Sequence, residues 1–350
     1  MQKAIVSEKM KRLAFFLSGE HPTLPVSEVI GAIEAEGFSY EIDEKLDQVL
    51  ILKTKADPTD ISRRLGMCHW IGEHFCTCPS EELMKCIGSS DLVDFLPQSE
   101  TIAVRVKRIK KYSPRVDTQG LSKKIADKLL EEINYSVDLE SPDNEIVCLL
   151  TEEKCVLTVI RKRIDREFLN ERKPSKRPSV HPSTMQPNLA RALVNIARTS
   201  KNERFLDPFC GVGGILIEAG LIGANTIGAD INSELLQGAE KNLSQLKIKD
   251  YDLRICDARE LEIEKVDAIA TDPPYGRQAS TGGSELNELY KSTFPALARF
   301  LKSGKYLCIT APSEINLEKL TKNQPFDLEE KHQNQVHKSL TREIYVFKRE

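Results

Sequence analysis

Val266-Asp267-Ala268-Ile269-Ala270-Thr271-Asp272-Pro273-Pro274-Tyr275-Gly276 is the stretch from which the rest of the chain is read. It opens as an apolar run of buried-strand length and stops at two prolines. Pro273 forces Asp272 out of the helical region, and neither proline has an N–H, so no helix or ladder runs through them. The pattern predicts a rigid loop at the carboxyl end of a strand, where open α/β sheets bind ligands. The loop offers the Asp272 carboxylate, the Pro273 and Pro274 carbonyls and the Tyr275 ring. This set suits a planar group with an exocyclic amine: the oxygens accept the amine's protons and the ring stacks on the plane. A proline turn that merely closes a strand fits the same residues.

Strand and helix patterns alternate around this loop. Strands are expected at 204–207, 226–230, 253–256, 266–270 and 306–310. Helices are expected at 187–197, 214–221, 233–246, 285–301 and 313–322. Residues 327–337 and 343–349 read as a closing hairpin. The alternation implies a mostly parallel sheet with helices on both faces and an antiparallel strand at its end.

The first of these strands runs into Asp207-Pro208-Phe209-Cys210-Gly211-Val212-Gly213-Gly214. Its glycines allow a sharp turn and close approach of backbone to ligand. A dinucleotide fingerprint fails, because Leu216 fills the last glycine slot and Asp207 would repel a pyrophosphate. An acidic strand end with a glycine turn suits a ligand that carries an amine and no phosphate, such as S-adenosylmethionine. Asp230 ends the next strand, about 20 residues on, where a ribose-binding carboxylate belongs. Asp257, after the third strand, is placed to accept from an adenine amine. Each aspartate alone reads equally well as a helix cap or a solvated strand end. Their joint placement with Asp272, at four successive strand ends, is the specific signal.

The front half is built differently. Residues 12–18, 25–36, 38–42, 48–54, about 58–65 and 67–75 read as β-α-β-β-α-β, a split ferredoxin-like unit over 1–78. Residues 79–160 follow, with a helix at 80–88, a strand at 102–109, a helix at 118–133 and two strands near 145–150 and 155–160. Basic residues dominate 105–128: Arg105, Lys107, Arg108, Lys110, Lys111, Arg115, Lys123 and Lys124 suit a phosphate backbone, although a solvated face fits them too. Residues 161–180 lose periodicity and gain prolines and positive charge, and they read as a linker. The last domain is then 181–350.

Composition agrees with a multidomain protein. The 350 residues are 40% hydrophobic and 29% charged, with a formal net charge of −3, so any nucleic-acid surface must be local. The opening Met-Gln-Lys-Ala leads into charged sequence with no leader or long apolar span. The nine cysteines are accordingly expected as free thiols in the cytoplasm, with no membrane contact. Cys68, His69, His74, Cys76, Cys78 and Cys86 cluster in sequence, but without Cys-x-x-Cys spacing, and no metal is expected. A monomer is the expected state.

The glycine loop and Asp-Pro-Pro-Tyr-Gly together resemble the class I amino-methyltransferases that modify exocyclic nitrogens. His181-Pro182-Ser183-Thr184-Met185-Gln186-Pro187-Asn188-Leu189-Ala190-Arg191 and Val336-His337-Lys338-Ser339-Leu340-Thr341-Arg342-Glu343-Ile344-Tyr345-Val346 are similar, more narrowly, to segments of the archaeal tRNA guanosine-10 N2-methyltransferases. The resemblance is strong over 178–350 and weaker over 1–160. It implies an N-terminal ferredoxin-like domain, a THUMP RNA-binding domain, a linker and a Rossmann-like methyltransferase domain. It further implies S-adenosylmethionine as cofactor, tRNA as substrate, and one or two methyl groups added to guanosine N2. Carried over to this chain, Asp272, Pro273, Pro274 and Tyr275 serve the chemistry. Thr184, Met185, Gln186, Asp207, Phe209, Gly211, Gly213, Asp230, Ile231, Asp257 and Ala258 serve the cofactor. Val212 departs from the family's usual threonine, which removes one hydroxyl near the methionine moiety. Another tRNA or ribosomal RNA guanosine, a DNA amino group, and a non-catalytic RNA-binding module remain as other readings of the same motifs.

Overall fold

The computed structural model describes residues 10–97, 100–132, 135–182, 184–274, 283–337 and 340–350. The first half contains β1 (Lys11–Leu17), α1 (Leu24–Ala35), β2 (Tyr40–Leu46), β3 (Val49–Thr54), α2 (Pro58–Arg64), β4 (Cys68–Pro79), α3 (Leu83–Gly88), α4 (Leu92–Phe95), β5 (Thr101–Arg108), α5 (Thr118–Glu132), β6 (Ser136–Val137), β7 (Asn144–Thr151) and β8 (Lys154–Arg163). The second contains α6 (Arg166–Glu171), α7 (Pro187–Ile196), β9 (Arg204–Asp207), α8 (Gly214–Ile222), β10 (Asn225–Asp230), α9 (Ser233–Gln245), β11 (Tyr251–Ile255), β12 (Val266–Thr271), α10 (Gly283–Phe300), β13 (Leu301–Pro312), α11 (Leu317–Leu320), β14 (Phe326–His337) and β15 (Leu340–Arg349).

Two compact units emerge, and the division is not sequential. One holds the described residues up to Pro22, with Phe38–Arg63 and Cys68–Ile164. The other holds Thr23–Gly37, Arg64–Met67 and Asp165–Glu350.

The first unit is one eight-stranded sheet in the order β2-β3-β1-β4-β8-β7-β5-β6. Its β2-β3-β1-β4 portion has the strand order of the split ferredoxin-like unit. The expected strand at 67–75 is longer than its apolar pattern suggested. β4 runs on to Pro79 and pairs with β1 on one edge and β8 on the other. Ladder bonds along β8 extend it, and these leave no local mark in the sequence.

In the second unit, Glu28 of α1 accepts from the Gly66 and Met67 amides at 2.7 and 2.8 Å and from Asn195 Nδ2 at 3.1 Å. Gly31 is required there, because a Cβ would overlap the Asn195 carbonyl. Burial pushes the Glu28 carboxyl up to about 7. The sheet of this unit runs β11-β10-β9-β12-β13-β15-β14, parallel from β11 to β13 and antiparallel at β15 and β14. This is the expected α/β class with an antiparallel end. Successive residues of its central strands face opposite cores. Phe205 and Ala268 pack with Leu193 and Leu216, while Leu206 and Ile269 pack with Phe294 and Leu307. Pro295 lies inside α10 without ending it, whereas α11 is shorter than the expected 313–322.

Residues 161–180 are ordered where a linker is expected. Asp165 caps α6, and its carboxylate accepts from the Phe168 amide at 2.8 Å. Arg172 then inserts a buried guanidinium that grips both oxygens of Glu218, at 2.8 and 2.9 Å. A charge pair organises this segment, not apolar periodicity, so hydrophobic patterning does not reveal it.

Candidate active site

Strand order reverses between β9 and β12. From β9 the sheet grows through β10 to β11, then returns to β12 on the other side of β9. The crevice at such a switch point is where open parallel sheets hold ligands. Asp207, Asp230, Asp257 and Asp272 all line one cleft there, of about 640 Å³. Thr184, Met185, Phe209, Gly211, Ile231, Ala258 and Pro274 line it with them. Gln186, Gly213 and Pro273 are not among its lining residues. Gln186 is exposed at the start of α7, Gly213 takes φ +80° at the start of α8, and Pro273 is buried. Tyr275 lies outside the described residues.

The glycine loop is pinned from two sides. Asp230 accepts from the Gly211 amide at 3.0 Å and from the Asn232 amide at 2.9 Å. Asn242 of α9 donates to the Val212 carbonyl at 2.8 Å and to the Ser179 carbonyl at 2.9 Å. Gly211 sits at φ +51° with nothing within 4 Å of where a Cβ would point, so its backbone faces open space.

The aspartates are not alike. Asp207 is buried, and burial pushes its carboxyl up to about 7, helped by Asp272 and Asp230 nearby. Hydrogen bonds from Thr271 Oγ1 at 2.7 Å and the Phe209 amide at 3.2 Å oppose the rise. Asp257 is held below the ordinary range, mainly by hydrogen bonds from Arg259, whose Nε and Nη2 lie 2.9 and 2.6 Å from its two oxygens. Asp257 therefore shares the cleft with a guanidinium that sequence reasoning overlooked.

Asp272 is held from across the sheet. Thr310 Oγ1 of β13 donates to Oδ1, and Arg342 Nη2 of β15 lies 3.2 Å from Oδ2. The Thr310 carbonyl accepts from Tyr290 of α10 at 3.0 Å. Neither Thr310 nor Arg342 was singled out as a functional residue. The one available signal is Arg342 itself, a charge entering the apolar strand Ile344-Tyr345-Val346-Phe347.

Residues 80–160 match the THUMP domain, and residues 174–344 match the family described as an RMKL-like methyltransferase domain. The tRNA (guanine(10)-N2)-dimethyltransferase of Methanothermobacter thermautotrophicus is 35% identical over 335 residues, covering 95% of this chain and 98% of that one. This chain belongs to that family. The tRNA (guanine(10)-N2)-dimethyltransferase of Methanocaldococcus jannaschii is 31% identical over 364 residues, covering 96% and 99%. The crystal structure of TrmN from Thermus thermophilus shares the fold, with a TM-score of 0.54 at 18% identity over 97% of this chain and 100% of that one.

In this member of the tRNA (guanine(10)-N2)-dimethyltransferase family, the eight basic candidates differ in what they hold. Arg105, Lys107, Lys110, Lys111, Arg115, Lys123 and Lys124 are exposed. Arg105 pairs with Glu145 at 2.8 Å, Lys110 pairs with Asp47 at 2.6 Å, and the Lys107 ammonium sits 4.5 Å above the Phe16 ring. Arg108 is half-buried, and its guanidinium donates to the carbonyls of Tyr112, Ser113 and Val116, which shapes the loop after β5. The Cys76, Cys78 and Cys86 sulfurs lie within 4.8 Å of one another. Burial raises the Cys76 thiol and pushes Cys78 up to about 12, and both cysteines belong to the apolar core of this unit. Among the described residues, no helix is long and apolar enough to cross a membrane.

Proposed function

We propose that this protein transfers one or two methyl groups from S-adenosylmethionine to the exocyclic N2 of guanosine 10 in tRNA. The carrying observation is Asp272, fixed by Thr310 and Arg342 at the mouth of a cleft lined by three further carboxylates.

The cleft's chemistry fits the cofactor. Asp207, Asp230 and Asp257 are acceptors for an ammonium, ribose hydroxyls and an adenine amine, and they would repel a pyrophosphate. Ile231 is 75% exposed at the cleft, an apolar surface suited to one face of a flat base. S-adenosylmethionine, when bound, supplies a methyl group on a sulfonium leaving group.

The chain's own residues do the rest. Guanine N2 is a weak nucleophile, because its lone pair is delocalised into the ring. Asp272 accepts a hydrogen bond from the amine, and the Pro273 carbonyl takes the second proton's direction. Each Asp272 oxygen has a lone pair left beyond those facing Thr310 and Arg342. Two acceptors on one amine favour a pyramidal nitrogen with its lone pair directed into the cleft. The Asp272 charge stabilises positive charge growing on nitrogen and holds the departing proton. Orientation, not acid strength, is the main contribution. Tyr275 stacks on the base in this reading. The base must leave its own stack, at a cost of about a few kcal/mol. Phosphate contacts from the exposed basic residues of 105–124 offset that cost.

We assign residues 1–78 and 79–160 to tRNA recognition, 161–180 to the connection and 181–350 to catalysis, in a monomer acting in the cytoplasm. The test is nucleoside mass spectrometry, with site mapping, on an unmodified tRNA transcript incubated with protein and S-adenosylmethionine. N2-methylguanosine or its dimethyl form at position 10 is the expected product. Methylation elsewhere refutes the address, and no methylated guanosine refutes the reaction.

A further inference from the structure

Strand β4 carries Cys76 and Cys78 at alternate positions, so both side chains leave the same face of the sheet. Leu83 and Ile87 of α3 enter the core on that face and bring Cys86, three residues past Leu83, to the same side. The three sulfurs lie within 4.8 Å of one another. Cys76 and Cys78 are buried, and Cys86 is half-buried. Among the described residues, no other three histidine, cysteine or acidic side chains form such a group.

Thiolates are soft donors that select zinc over magnesium or calcium. A tetrahedral zinc with bonds of about 2.3 Å spaces its sulfurs by about 3.8 Å, so these three need to close by about 1 Å at most, which side-chain rotation supplies. Binding forms three Zn–S bonds and releases the thiol protons to solvent, because a coordinated thiol is deprotonated outright. The expectation of no metal rested on spacing alone. Zinc motifs are recognised by Cys-x-x-Cys, whereas alternate residues of a strand give Cys-x-Cys, and the third ligand comes from a helix. Cys148 and Cys155 share the same core outside the trio, and they stand as controls for packing alone.

We propose that Cys76, Cys78 and Cys86 bind one Zn²⁺ as three thiolates, with a water as the fourth ligand on the half-buried Cys86 side. The ion clips α3 to the end of β4, where the chain enters the residues matched by the THUMP domain. None of the three cysteines lines the cleft, so the ion is structural and takes no part in methyl transfer.

The test uses the full-length protein, purified anaerobically under reducing conditions, stripped with a chelator and offered Zn²⁺ or Co²⁺ alone. Wild type should retain about one zinc per chain after desalting, and Co²⁺ should give intense sulfur-to-cobalt charge-transfer absorption. Cys86→Ser should weaken zinc binding by about 100-fold or more, beyond what loss of a supporting residue costs. Cys148→Ala should leave it unchanged. In wild type, zinc should also protect Cys86 from alkylation, a readout that needs no variant. Failure of wild type to retain zinc overturns the proposal, as does a cobalt spectrum without the charge-transfer band. Zinc binding in C86S as tight as in wild type places the metal elsewhere and also overturns it. An equal loss in C148A does so by marking general damage to the core. If C86S does not fold, alkylation of Cys86 at the same rate with and without zinc refutes the site.

Discussion

Arg342→Met is the sharpest test of how the catalytic loop is held. Arg342 Nη2 lies 3.2 Å from Asp272 Oδ2, and the arginine side chain is 8% exposed against 17% for the aspartate. Solvent screens such a pair little, and hydrogen bonds to charged groups contribute about 1.5–3 kcal/mol. The distance is at the long end of the N–H···O range, so about 1.5–2 kcal/mol is the reasonable share. If Asp272 must be oriented in the transition state, the whole amount falls on the chemical step, a loss of about 10- to 30-fold in rate. Arg342 is not among the cleft-lining residues, so cofactor affinity should stay within about twofold. Single-turnover methylation of a tRNA transcript gives the rate, and titration with S-adenosylhomocysteine gives the affinity. Arg342→Lys should recover part of the rate, because it restores the charge without the planar fork. An unchanged single-turnover rate in R342M refutes the reasoning. So does a rate loss matched by an equal loss of cofactor affinity, which would mean general damage to the unit.

The other predictions concern the supporting structure. Glu218→Gln removes the carboxylate that Arg172 and Arg191 both grip and should destabilise the protein by about 3–5 kcal/mol in urea unfolding, because a charge shared by two buried guanidiniums is lost; a variant as stable as wild type would contradict this. Asp207, pushed by burial from 3.8 up to about 7, stays protonated in the folded state at pH values where the unfolded chain has lost the proton. Its contribution therefore falls as pH rises from about 4 to about 7, and Asp207→Asn, with no charge to bury, should gain on wild type across that window; a stability difference that is the same at about pH 5 and about pH 8 speaks against it. Lys111, Lys123 and Lys124 are exposed, and replacing all three with alanine should weaken tRNA binding and lower the salt slope by about one per lost phosphate contact; an unchanged slope in a filter-binding series removes this patch from the interface.

Much of this molecule can be read locally. A strand that ends at Pro273, a turn that needs left-handed backbone at Gly211 and Gly213, and four aspartates at strand ends are each encoded within a few residues. The alternation around them implies a parallel sheet, and ligands gather where its strand order reverses. The fold class and cleft-lining carboxylates therefore followed from pattern. The partners of those carboxylates did not. Thr310 lies 38 residues from Asp272 and Arg342 lies 70 away. The sheet register that brings β13 and β15 beside β12 decides this contact. Likewise, Arg172 reads as one more cation in a basic linker until Glu218, 46 residues on, is seen to accept from it. Helix α1 reads as part of the front domain until Glu28 and Gly31 meet Asn195. By itself the sequence determined which groups stand at the strand ends, because turns and strand stops are local. Only the tertiary structure decided which charges are buried together, because burial and register join distant residues and leave no periodic trace.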